Sequence, residues 1–122
     1  MIESINHVAL IVSQEKSLDF YKKLGFKETS RTVRPEKNDI LIMMEKDSAV
    51  LEVFIRPDAP ERLNAPEAYG CRHIAFNVKD VDDILEILKG YDHQEIRRDA
   101  KGRRFVFVND ADEQPVEFLE AI

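Results

Sequence analysis

The sequence predicts an α+β protein made of two βαβββ modules, because one pattern occurs in it twice. Asn-His-Val-Ala-Leu, which contains His7, returns as Arg-His-Ile-Ala-Phe, which contains His73, and a helix-like stretch follows each copy. Each copy then leads to a late apolar strand with one embedded glutamate. Glu52 follows His7 by 45 residues, and Glu117 follows His73 by 44. Such matched spacing indicates two copies of one structural unit.

The first module covers about residues 1–56. A strand is predicted over 5–12, where apolar residues occupy both alternating faces. Ser13 can cap the helix that follows, and Gly25 can end it. Three more strands are predicted near 27–34, 40–45 and 49–55.

The second module covers about residues 71–122 and repeats the plan. The segment 57–70 before it contains three prolines and no sustained period, which is typical of a linker. A strand over 72–78 precedes a helix that Asp80 can cap and whose apolar residues recur at i, i+3, i+4 and i+7. Strands near 94–98, 103–108 and 115–119 complete the module. Residues 1–122 are therefore predicted to form a single domain of two modules.

The composition narrows the classes of protein to consider. The net charge of −6 provides no basic stripe for a nucleic acid, so we expect a small-molecule partner instead. No apolar run approaches the roughly 18 residues of a membrane span, and the N-terminus lacks the pattern of a secretory signal. With Cys71 as its single cysteine, the chain suits a reducing compartment. We expect a cytoplasmic protein without a membrane partner.

Strand parity suggests a metal site. Alternation puts His7 and Ala9 on one face of the first strand, and the same rule groups His73 with Ala75. Imidazole and carboxylate together suit divalent Ni, Zn, Co, Mn or Fe. We therefore expect a metal on four residues, which are His7, Glu52, His73 and Glu117. Taken singly, each histidine could be an ordinary core or edge residue and each glutamate a surface residue.

The repeated motifs resemble the vicinal oxygen chelate superfamily over essentially the whole chain. Leu-Asp-Phe-Tyr-Lys-Lys-Leu-Gly-Phe at 18–26 and Pro-Val-Glu-Phe at 115–118 look like glyoxalase I-type single-domain proteins. The resemblance implies paired sheets that form an open-barrel groove, a homodimer, and a metal-dependent lyase or isomerase acting on a small dicarbonyl or related substrate. It also implies that Glu52 or Glu117 is the catalytic base, transferring a proton through an ene-diolate. Whether one chain or two supplies each metal site stays open.

Two departures from the family pattern bear on the substrate. Glutathione-using bacterial glyoxalases often carry an arginine four residues after the first histidine and an asparagine four after the first glutamate, where this chain has Ile11 and Arg56. We therefore expect a small anionic substrate, bound by Arg56, Arg103 or Arg104. The alternatives are a metal-dependent dioxygenase or thiol transferase of the same superfamily, or a binding protein that sequesters a small molecule.

Overall fold

The computed structural model describes residues 1–121, which separate into two compact units, Met1–Pro60 and the chain from Glu61 onward. Each unit contains one four-stranded mixed sheet and at least one short helix, as predicted for an α+β protein. None of the helices in this part of the chain is both long and apolar enough to span a membrane.

The first unit builds its sheet in the order β1-β4-β3-β2. These strands are β1 (Val8–Val12), β2 (Lys27–Arg34), β3 (Asp39–Lys46) and β4 (Ala49–Ile55). β1 pairs with β4 in parallel, while β3 pairs with β4 and β2 in antiparallel register. The first strand therefore lies beside the last, and a residue of β1 can share a site with a residue of β4.

The first helix differs from the prediction. A 3₁₀ turn over Glu15–Leu18 precedes the α-helix α1 (Asp19–Lys23), and Gln14 rather than Ser13 occupies the N-cap position, without a side-chain capping bond. The 3₁₀ form arises because the Ser17 N–H donates to the Gln14 carbonyl at 3.0 Å, three residues back. Gly25, at φ +102°, ends the helix as predicted.

The second unit repeats the topology with the order β5-β8-β7-β6. Its elements are β5 (Ile74–Val78), α2 (Val81–Ile87), β6 (Arg97–Arg98), β7 (Arg104–Asn109) and β8 (Pro115–Glu120). β5 pairs with β8 in parallel, as β1 does with β4. The predicted cap of α2 is confirmed, since Asp80 Oδ1 accepts from the Asp82 N–H at 2.8 Å.

Each sheet packs one face into an apolar core and leaves the other face more open. In the first unit, Leu51 and Val53 of β4 are buried, while Glu52 and Phe54 between and beyond them are half-buried. In the second unit, Val116 and Phe118 are buried, while Glu117 is half-buried. The alternation predicted from the sequence is thus present in both units, and the two glutamates lie on the open faces.

The segment 57–70 is more structured than the linker that its prolines predict. The Arg62 guanidinium donates to the Gln114 side chain at 3.1 Å and to the Arg72 carbonyl at 2.8 Å. The Asn64 amide donates to the Glu113 carbonyl at 2.7 Å. These long-range hydrogen bonds attach the segment to the second unit, and no local sequence period reveals them.

Candidate functional site

The first unit places His7 and Glu52 side by side on the open face of its sheet. His7 directly precedes β1, and Ala9, two residues on, is the register partner of Glu52. The His7 Nε2 atom lies 3.8 Å from Glu52 Oε1. His7 Nδ1 lies 2.8 Å from Asn6 Oδ1. An N–H at His7 Nδ1 can donate to this amide oxygen, and Nε2 is the ring atom that faces Glu52.

The second unit repeats the pair with His73 and Glu117. His73 directly precedes β5, and Ala75 is the register partner of Glu117. The His73 Nε2 atom lies 3.2 Å from Glu117 Oε1. The imidazole also meets the Phe107 ring edge to face, with ring centres 4.8 Å apart. Its Nδ1 atom is buried without a hydrogen-bond partner among the described residues.

The chemistry of both pairs fits a divalent cation. Two donors each about 2.1 Å from one ion lie roughly 3.0–3.4 Å apart, which matches the 3.2 Å of the second pair and is slightly shorter than the 3.8 Å of the first. Within residues 1–121, no three His, Cys, Asp or Glu side chains come together as a ready-made metal cluster. Each pair brings together two residues of the predicted set of four.

Arg56, one of three arginines predicted to bind substrate, is held by a buried carboxylate. Its guanidinium donates to Asp39 at 2.7 Å, and Arg34 donates to both oxygens of the same carboxylate. The Asp39 side chain is fully buried, and hydrogen bonds from Arg34, then Arg56, hold its pKa well below the usual range. Two cations on one anion leave a net positive charge. The Arg34 guanidinium also lies over the Phe54 ring, 5.0 Å from the ring centre, and Phe54 lies on the same face of β4 as Glu52.

Arg103 and Arg104, the other two predicted substrate residues, point to opposite faces of their strand and both have carboxylate partners. Arg104 shares a face with buried Val106 and binds Glu120 at 2.8 Å, together with two aspartates at the start of α2. This is the side of the sheet away from Glu117. Arg103 shares the parity of the open face, but Asp99 binds its guanidinium at 2.7 Å and closes the turn.

Sequence reasoning missed Arg97, which lies on the open face of the second unit. It is the register partner of Phe105 and lies over the Phe105 and Phe107 rings, at 5.0 and 5.9 Å from the ring centres. The alternation in Arg-Phe-Val-Phe-Val at 104–108 does indicate that the two phenylalanines lie on the face opposite the core valines. Only the pairing of β6 with β7 places Arg97 above these phenylalanine rings.

Comparison with known proteins agrees with this architecture. Residues 4–118 match the model of the Glyoxalase/Bleomycin resistance protein/Dioxygenase superfamily. The chain therefore belongs to this superfamily, which confirms the resemblance to vicinal oxygen chelate proteins drawn from the repeated motifs.

Individual relatives cover the whole chain. The uncharacterized protein YwkD of Bacillus subtilis (strain 168) is 41% identical to it, with 98% of each chain aligned. The glyoxalase family protein from Enterococcus faecalis is 35% identical, with a TM-score of 0.89 over 97% of this chain and 98% of that one. A mutant of the fosfomycin resistance protein FosX from Listeria monocytogenes, complexed with Mn(II) and 1S,2S-dihydroxypropylphosphonic acid, shares the fold at 20% identity and a TM-score of 0.78, covering 100% of this chain and 95% of that one.

Proposed function

We propose that the chain is a divalent-metal-dependent lyase or isomerase of glyoxalase I type, acting on a small dicarbonyl or related anionic molecule by proton transfer. The observation that carries the proposal is the duplicated pair of imidazole and carboxylate. In each unit an Nε2 atom and a carboxylate oxygen face one another on the open side of the sheet, at 3.8 Å and 3.2 Å. Isolated ionisable groups on two otherwise apolar strands would be an unusual repetition without a shared cation.

In this proposal, His7, Glu52, His73 and Glu117 together hold one metal ion, which is Ni, Zn, Co, Mn or Fe. The ligands come from one chain or from two chains of a homodimer. When bound, the metal draws electron density from carbonyl oxygens and stabilises the negative charge that develops when a neighbouring C–H loses its proton. A hydrogen bond from His7 Nδ1 to the Asn6 amide oxygen would favour the tautomer whose Nε2 can bind the metal.

The chain itself supplies the proton acceptor. Glu52 or Glu117 takes a proton from the carbon beside the carbonyl and returns it to the adjacent carbon. Both carboxylates retain some exposure, with 24% of the Glu52 side chain and 18% of the Glu117 side chain accessible. A substrate on the open face can therefore reach either one. The phenylalanines beside the pairs would limit the water around this transfer.

Three alternatives compete with this proposal, which are a metal-dependent dioxygenase, a thiol transferase and a protein that sequesters a small molecule. FosX has the same fold and was crystallised with Mn(II) and a small phosphonic acid, so a metal and an anionic ligand are compatible with this fold. A dioxygenase would consume dioxygen, a thiol transferase would join a thiol to its substrate, and a sequestering protein would bind its ligand without changing it.

The test combines metal analysis with a substrate panel. The purified protein, reconstituted separately with each metal, is offered hemithioacetals of methylglyoxal with several thiols, free dicarbonyls, fosfomycin with thiols, and catechols under dioxygen. We expect one metal ion per set of four ligands and, in D₂O, incorporation of deuterium at the carbon next to the carbonyl of the product. The absence of bound metal after reconstitution would overturn the proposal. Dioxygen consumption, thiol transfer, or binding without turnover would replace it with one of the alternatives.

A further inference from the structure

The second unit contains a pocket of about 550 Å³ on its open face. Its wall includes His73 of the proposed metal set, the Phe105 and Phe107 rings, and several polar side chains, among them Gln94, Arg97 and Asn109. The volume is within the range of sites for small ligands. The pocket therefore joins a proposed metal ligand to groups that could recognise the rest of a substrate.

Arg97 differs from the other arginines near the predicted sites. Arg56, Arg103 and Arg104 each bind at least one carboxylate, whereas Arg97 forms no ion pair within the described chain. Its one side-chain hydrogen bond goes from Nη2 to the Gln94 amide oxygen, at 2.8 Å. Because a guanidinium has five N–H donors, most of its hydrogen-bonding capacity is left for a ligand.

Contact with two aromatic rings holds the Arg97 guanidinium in a position to bind an anion. The two phenylalanine rings lie 5.0 and 5.9 Å from its central carbon, and the Gln94 contact restricts its rotation. A positioned arginine loses less conformational freedom when it binds an oxyanion than a free one does. The Phe107 ring also contacts His73, so a small molecule can touch the guanidinium and the imidazole together.

The remaining charges of the wall do not cancel Arg97. Glu67 and Arg72, the other charged residues of the wall, are paired with each other at 2.6 Å between carboxylate and Nε. Apart from His73, the other polar wall residues are the amides Asn64, Gln94 and Asn109. The pocket thus offers one uncompensated positive charge in a protein whose net charge is −6.

We propose that Arg97 recognises the terminal oxyanion, a carboxylate or phosphonate, of a small molecule held in this pocket beside His73. This inference rests on the proposed function for the reaction, but binding of the anion itself does not require the metal. It replaces Arg56, Arg103 and Arg104 as the residue that recognises the substrate's charge.

The test measures binding of two probes, pyruvate and methylphosphonate, to the full chain before and after treatment with a chelator. Side-chain ¹⁵Nε and backbone amide NMR signals report each titration. Arg97→Gln removes the charge, and Arg97→Lys keeps it but loses the planar fork. Arg98→Gln is the matched control, because Arg98 is the next residue of β6 and its guanidinium instead donates to the Gly102 carbonyl at 2.8 Å.

We expect wild type and Arg98→Gln to bind with the same Kd, Arg97→Gln to bind about 10-fold or more weakly, and Arg97→Lys to lie between them. The tighter probe identifies the oxyanion as carboxylate or phosphonate. With a substrate that turns over, Arg97→Gln should raise KM and leave kcat nearly unchanged. Equal affinity in wild type and Arg97→Gln, or equal losses in the Arg97 and Arg98 variants, would overturn this inference. If binding depends on Arg97 in a protein that never retains metal, the proposed function fails and the anion site stands.

Discussion

A shared metal predicts that His7 and His73 are not independent. If the two pairs supply one set of four ligands, then His7→Ala and His73→Ala should each abolish most of the stabilisation that metal gives. If each pair bound its own ion, each variant would lose only the stabilisation that comes from that one ion. The third histidine of the chain, His93, is exposed and contacts the Gln94 carbonyl through Nδ1 at 2.8 Å. His93→Ala is therefore the matched control.

The expected magnitude follows from linkage between binding and folding. Metal at 100 times its Kd stabilises the folded state by about 2.7 kcal/mol. Loss of outer-shell partners of metal ligands already weakens binding about 10–100-fold, so removal of a direct ligand should weaken it by about 100-fold or more. At the same metal concentration the stabilisation then falls to about 0.4 kcal/mol. For a chain of this size, the metal-induced rise in Tm should drop from roughly 10 °C to roughly 2 °C.

The assay is thermal unfolding by circular dichroism, with and without metal, for wild type and for the single and double variants. His7→Ala, His73→Ala and the double variant should show the same small metal response, because removing either ligand already disables the shared site. His93→Ala should respond like wild type. Two single variants that each keep about half of the wild-type response, with additive losses in the double variant, would refute the shared site.

Three further predictions concern the catalytic base, the substrate and acid stability. Glu52→Gln should lower kcat by about 10²-fold or more while the metal is retained, since the Glu52 pair is the looser one. Glu117→Gln should chiefly weaken metal affinity, and the control Glu45→Gln should change neither kcat nor metal affinity. Equal modest losses of kcat in Glu52→Gln and Glu117→Gln would contradict this assignment of the base. The glutathione–methylglyoxal hemithioacetal should give a kcat/KM below about 10⁴ M⁻¹s⁻¹ in steady-state kinetic assays. Because the pKa of Asp39 is lowered in the folded protein, its carboxylate stabilises the fold above about pH 4, and this stabilisation is lost as the pH falls through the folded-state pKa. Asp39→Asn should therefore flatten the acid side of the curve of unfolding free energy against pH.

The open faces of the sheets could be predicted because they depend on local alternation. Residues 50–55 alternate half-buried and buried as their sequence indicates, and parity alone put Glu52 opposite the core. The Asp80 cap was also predictable, since its hydrogen bond reaches only two residues along the chain. The 3₁₀ turn before α1 was not, because its apolar spacing suits a continuous helix equally well.

The partners of the arginines could not be predicted, because they come from distant parts of the chain. Arg56 meets Asp39, which is 17 residues earlier, and Arg104 meets Glu120, which is 16 residues later. Neither pairing follows a sequence period. The face occupied by Arg104 also depends on the register of β7 with β8, which decides that Arg104 points away from Glu117. A basic residue at the start of a strand thus indicates a candidate ligand group, but only tertiary pairing decides whether its charge is free.

Charge pairing separates arginines that stabilise the fold from one that is available to a ligand. Arg104 is held by Glu120 and by two aspartates at the start of α2, and its hydrogen bond to Glu120 lowers the pKa of that carboxyl. A substrate anion would have to compete with these carboxylates for it. Arg97 has no such competitor, and its aromatic support lies beside His73. The proposed recognition of an anion at Arg97 and the proposed proton transfer at the glutamates are therefore separable, so relatives that keep both His–Glu pairs but change residue 97 should differ in substrate rather than in chemistry.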